Sequence, residues 1–149
     1  MRMMTSLFVL CAIGFLGADE PKKEASKIKG KWSVVSISQG GNASPAEALK
    51  DYKFTFEEKR YNTSYLEVVN GEVAEEGEYT FDDSKAPKTI DFDIKKGKDE
   101  GKKQVGIFKI EDDKMTIVLG MPGATERPTS FKVEAGSMVL EVVFERVKP

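Results

Sequence analysis

Thr89-Ile90-Asp91-Phe92-Asp93-Ile94 alternates apolar with polar side chains at every step. In an extended chain successive side chains point to opposite faces, so Ile90, Phe92 and Ile94 share one face and Asp91 and Asp93 the other. The same period runs outward in both directions. Tyr52-Lys53-Phe54-Thr55-Phe56-Glu57 gathers three aromatics on one face, Lys114 to Leu119 turns Met115, Ile117 and Leu119 inward, and Met138 to Glu145 does so with Leu140, Val142 and Phe144. Less regular strands fill the gaps at 31–38, 60–69, 72–81, 104–110 and 129–133. Parity slips at Val34-Val35 and again near Tyr65-Leu66, which predicts a bulge or sharp bend at each. Turn residues separate neighbours at Glu57-Glu58-Lys59, Asn70-Gly71, Asp82-Asp83-Ser84, Glu111-Asp112-Asp113 and Ala135-Gly136-Ser137. Many short strands joined by hairpins must hide their edges, and a closed antiparallel up-and-down barrel of about eight strands hides them all. The fold class is therefore all-β, with one short helix after the first strand. That helix is marked by Ser44-Pro45-Ala46-Glu47, where Ser44 has the spacing of an N-cap to Glu47 and Pro45 suits the first helical position.

The N-terminus has another character. Arg2 precedes the apolar run Leu7 to Leu16, and Gly17-Ala18 supplies small residues before the polar Asp19-Glu20-Pro21. That order predicts a secretory signal over residues 1–18, followed by a charged tether over 19–29 and a single domain over 30–149. The run is too short to span a bilayer comfortably, so no transmembrane segment is expected after cleavage, and the destination is secreted or periplasmic. The single cysteine, Cys11, lies inside the signal, so the mature domain is expected to hold together without a disulfide. The 149 residues carry a net charge of −2, with acidic groups interrupting the lysines of residues 95–103, which argues against a nucleic-acid partner.

Gly30-Lys31-Trp32 opens the first strand. A glycine, any residue and a tryptophan at that place resemble the lipocalin signature, in which the indole closes one end of the barrel and an arginine of the last strand stacks on it. Arg146 shares the parity of Phe144 and so faces that end, where a guanidinium can rest on the indole. Gly30, Trp32 and Arg146 are therefore the expected barrel floor. Gly30 to Val35, Pro45 to Lys50, Ala86 to Asp91, Gly106 to Ile110 and Arg127 to Phe131 extend the likeness along the mature chain. They resemble a family of small lipocalin-like domains abundant in planctomycete bacteria. The resemblance implies a barrel and an exported habit, and implies no reaction.

Chemistry is narrowed by what the chain lacks. There is no histidine, which removes Ser-His-Asp and Cys-His nucleophile systems, the commonest zinc sites and histidine-ligated haem. No phosphate-cradling glycine loop or nucleophile elbow is present. No enzyme activity, cofactor or metal is expected. Asp91 and Asp93 read as a solvated outer face, whereas Glu75 shares the parity of Tyr79, points inward, and there needs a partner. Phe54, Phe56, Tyr61, Tyr65, Tyr79, Phe92 and Phe108 supply either core or cavity wall. Phe54, Tyr65, Tyr79 and Phe92 are the ligand-binding candidates, the tyrosines because a buried hydroxyl wants a partner. The function expected is an exported, non-catalytic binder of a small apolar molecule, with the cavity toward the end covered by residues 44–50. The alternative is a filled barrel serving a structural role or meeting another protein of the cell envelope, with 120–128 as a contact loop.

Overall fold

A computed structural model of the chain describes residues 27–64 and 73–149. The ring of the barrel is built from β1 (Gly30–Gln39), β3 (Lys53–Phe56), β4 (Arg60–Ser64), β5 (Val73–Asp82), β6 (Lys88–Lys96), β7 (Lys103–Glu111), β8 (Lys114–Gly120) and β9 (Val139–Arg146). A two-residue β2 (Asn42–Ala43) folds back on the end of β1, and α1 (Ala46–Leu49) follows it. Each strand pairs antiparallel with its neighbour, and β9 returns to β1 to close the ring at eight strands. Closure pairs β1 with β9, so that the two ends of the strand order meet instead of standing as open edges. Among the described residues no helix is long and apolar enough to cross a membrane.

The alternation seen in the sequence maps onto the inside of the ring. Ile90, Phe92 and Ile94 are buried, as are Met115 and Ile117 on β8 and Val142 and Phe144 on β9. Of the bulge or bend expected at Val34-Val35, the bulge is present: the β1–β9 register shifts between Val34 and Ser36, and Val35 turns out to solvent at 39% exposure. The slip expected at Tyr65-Leu66 lies outside the described residues.

Two expectations fail. Residues 129–133 form no strand. They belong to a long connection, 121–138, that lies against the outer face of β7 and β8. Arg127 anchors it by donating to the Gly106 carbonyl (2.7 Å) and to both carboxylate oxygens of Asp91, while Lys109 sits 4.9 Å from the centre of the Phe131 ring. Ile107 and Val118, outward by parity, are consequently buried to 1% and 0% exposure. The outer aspartates are thus ion-paired rather than simply solvated, Asp91 with Arg127 and Asp93 with Lys95 at 2.6 Å. The second failure is the capping box. Pro45 occupies the N-cap and no side chain caps α1, which is a single turn held by the Ala48 N–H to Pro45 carbonyl bond (3.0 Å). The Ser44 N–H that Glu47 would reach back to donates instead to the Ile37 carbonyl (2.7 Å). Leu49 nonetheless packs into the core and fixes α1 beside β1.

Candidate functional site

The register places the inward side chains in layers between two ends. Trp32 on β1 pairs with Phe54 on β3 and with Arg146 on β9. Its indole is fully buried, its Nε1–H donates to the Ile28 carbonyl (2.8 Å), and the Arg146 guanidinium lies 4.2 Å from the ring centre. Arg146 also donates to the carbonyls of Lys27 and Lys29, tying the approach segment across this end. Ile28, within the stretch read as tether, is fully buried there. Gly30 sits at φ +121°, a conformation side chains rarely adopt, and an added Cβ would lie 3.3 Å from Arg146 Nη1. The Gly-x-Trp spacing therefore has a physical content: the glycine lets the chain turn in beneath the arginine, and the tryptophan fills the end. Phe56, Tyr79, Phe108 and Met115 pack above it and leave this half of the barrel solid.

The other half is hollow. A cavity of about 280 Å³ is walled by Ile37, Phe54, Phe92, Leu119, Leu140 and Val142, with Tyr52, Met121 and Pro122 at its rim. Ser44 N–H donates to the Ile37 carbonyl and Tyr52 N–H to the Leu49 carbonyl, so α1 stands beside this mouth. None of Ala46–Leu49 lines it. A second hollow, about 430 Å³, is a mainly charged hollow lined by Arg60, Asn62, Glu76, Glu78 and Lys95.

Within the wall the polar groups are few. Tyr61 on β4 faces Gly77 on β5. Because Gly77 has no side chain, the tyrosine ring lies across it; an added Cβ would come 2.8 Å from Tyr61 Cε1 and would overlap the Asp93 carbonyl oxygen. The Tyr61 hydroxyl thereby reaches Glu75 and donates to Oε1 at 2.7 Å. This is the partner an inward carboxylate requires. Burial pushes the Glu75 carboxyl above the ordinary range, against the pull of the tyrosine bond, and pushes the Tyr61 hydroxyl well above that of a free tyrosine. Gln104, opposite Phe92, donates from Nε2 to the Gly120 carbonyl (3.1 Å), and Asp99 at the rim is paired with Lys102 at 2.8 Å.

Of the candidates read from the sequence, Phe54 and Phe92 are in the cavity wall. Tyr79 is not. It is buried across the ladder from Phe92, its hydroxyl donates to the Glu57 carbonyl (2.6 Å), and burial pushes its pKa up to about 12. The hydroxyl that wanted a partner found backbone rather than ligand. Tyr65 lies outside the described residues. Tyr52, Gln104, Leu119, Leu140 and Val142 join the wall without having been singled out for it. For Gln104 the signal was its shared parity with Phe108, which marks a polar side chain turned inward.

No curated protein and no solved structure matches the chain. A family model described as a lipocalin-like domain matches residues 28–140, from the buried Ile28 to Leu140 at the cavity mouth. A closed eight-stranded barrel, sealed by Trp32 under Arg146 at one end and hollow at the other, is in keeping with that match, and the chain belongs to the lipocalin-like domain family.

Proposed function

We propose that this protein is an exported, non-catalytic carrier that holds a small, largely apolar molecule in the hollow end of its barrel. The observation that carries the reading is the cavity of about 280 Å³, walled mainly by aliphatic and aromatic side chains of six strands and lying away from the Trp32 floor. Eight-stranded barrels lie at the margin between a filled interior and room for one small ligand, and here only one end is filled. The signal-like order of residues 1–18 supports export, to a secreted or periplasmic destination.

Titration with N-phenyl-1-naphthylamine, an uncharged apolar dye, tests it. Saturable one-to-one binding is expected, weakened at least about tenfold by Leu140→Trp, which places a bulkier side chain in the mouth. Absence of binding by the folded protein to this and other slim apolar probes contradicts the reading and favours the filled-barrel interaction domain. Intact-mass analysis of protein from its native host tests export: a soluble chain beginning at Asp19 is expected, and one still beginning at Met1 in the membrane fraction contradicts it.

A further inference from the structure

The polar groups in the cavity wall are unequal in kind. Several donors are already bonded within the protein: the Tyr61 hydroxyl to Glu75, one amide N–H of Gln104 to the Gly120 carbonyl, and one of Gln39 to the Met121 sulfur at 3.7 Å. Acceptors remain. A carboxylate has two oxygens and roughly four lone-pair positions, of which Glu75 gives one to Tyr61, and it makes no ion pair among the described residues. Gln104 keeps its amide carbonyl oxygen. Next to Glu75 across the ladder, and next to Phe54 on the other side, Thr63 buries a hydroxyl that has no hydrogen-bond partner among the described residues. No lysine or arginine is among the described residues of the wall. At the rim, Lys102 is held on Asp99 at 2.8 Å.

We infer that the cavity is built for a small apolar molecule carrying an amine, whose ammonium pairs with Glu75 while its hydrocarbon lies against Phe54, Phe92 and the aliphatic wall. An ammonium brings donors and positive charge to a wall where the Glu75 carboxylate keeps open lone pairs and no described residue supplies a cation, and the faces of Tyr61 and Phe54 beside it add cation–π attraction. A fatty acid would place its own carboxylate against Glu75, which is unfavourable for both. The tyrosine bond fixes the Glu75 carboxylate in place before the ligand arrives, so little order is lost on binding. The groups bearing on Glu75 are Tyr61 and, at the rim, Asp99 with Lys102; the burial that raises its carboxyl means that pairing with an ammonium must displace a proton over the pH range where Glu75 is partly protonated.

This inference rests on the carrier reading, and the test separates the two. Octylamine, 1-octanol and octanoate, three probes with one hydrocarbon and different heads, are titrated calorimetrically into the wild type and Glu75→Gln. The expected result is octylamine binding about tenfold or more tighter than 1-octanol, with octanoate weakest. In Glu75→Gln the amine advantage disappears while 1-octanol binding persists. Octylamine binding no tighter than 1-octanol, or octanoate binding best, overturns the amine inference and leaves the apolar carrier standing. Failure of all three overturns both. Should Glu75→Gln not fold, wild type titrated with octylamine in buffers of different ionisation enthalpy gives a second reading: proton release is expected for octylamine and none for 1-octanol, and equal behaviour overturns the inference.

Discussion

Trp32 shows how one residue closes a barrel. Its ring is fully buried, its nitrogen is satisfied by the Ile28 carbonyl, and Arg146 covers its face. Trp32→Ala should cost about 3–5 kcal/mol, as truncation of a large core aromatic does. Arg146→Ala should cost less, about 1–2 kcal/mol for a half-exposed stacked cation with two backbone bonds, and should red-shift the emission of the single tryptophan. Denaturant melts showing both changes near zero would contradict the closed floor. Glu75 gives the opposite kind of prediction. Its carboxyl is raised in the folded protein, so the folded state binds the proton more tightly than the unfolded chain does. The cost of ionising it is absent below the unfolded carboxyl range and fully present above the folded pKa. Stability from this group therefore falls as pH rises through that window. Glu75→Gln, which retains a hydrogen-bond acceptor for Tyr61, should flatten that fall and melt at or above the wild-type temperature at neutral pH. A variant that melts lower at neutral pH than at acid pH by the same margin as wild type would contradict this.

Elements were legible where one face of a strand is core and the other water. β6 alternates buried with partly exposed positions as period two requires, and β9 turns Val142 and Phe144 inward, whereas β8 keeps its inward Met115, Ile117 and Leu119 but buries its outward Thr116 and Val118 as well. Of the two remedies for the parity slip at Val34-Val35, a bulge or a sharp bend, the register shows the bulge. The connection 121–138 was not legible, and the reason is physical. Its segment Thr129 to Val133 alternates much as a strand does, but its Phe131 packs beside Lys109 on an outer face instead of entering a ladder. The matching sign was Ile107 and Val118, apolar at outward positions of β7 and β8, which require a cover. Arg127→Ala removes the clamp on Asp91 and the Gly106 carbonyl. It should make 121–138 the first site of limited proteolysis while the barrel remains folded, and unchanged cleavage kinetics in that segment would show that Arg127 does not hold it. The candidate site was half legible for a related reason. Parity says which side chains enter a barrel but not which way along it each one leans. Tyr79 and Phe92 therefore looked alike in sequence, and the register even makes them direct cross-strand partners; only the direction of the side chains sends the Tyr79 hydroxyl to the Glu57 carbonyl and leaves Phe92 at the cavity wall.

At the scale of the whole molecule, the two halves of the barrel divide stability from binding. The large aromatics of β3, β4 and β5 descend toward Trp32 and interlock, with Phe56 and Tyr79 edge to face at 5.3 Å, and this packing leaves no room near the floor. Toward the other end the inward residues shrink to Ile37, Leu119, Leu140 and Val142, and the ring there encloses space. Gly77 links the halves, since its missing side chain lets Tyr61 lie flat and present Glu75 to that space. Gly77→Ala should cost about 1–3 kcal/mol by overpacking and should weaken ligand binding by displacing Tyr61, as a melt and a titration would show. The central claim is that the hollow end, and not the outer surface, takes the ligand. Methyl-resolved NMR of the protein titrated with 1-octanol tests it most directly. Shifts are expected at the methyls of Ile37, Leu119, Leu140 and Val142 that saturate together, with Ile28 and Met115 toward the floor unmoved. Shifts confined to the outer face around Ile107 and Val118, or none at all, would contradict it.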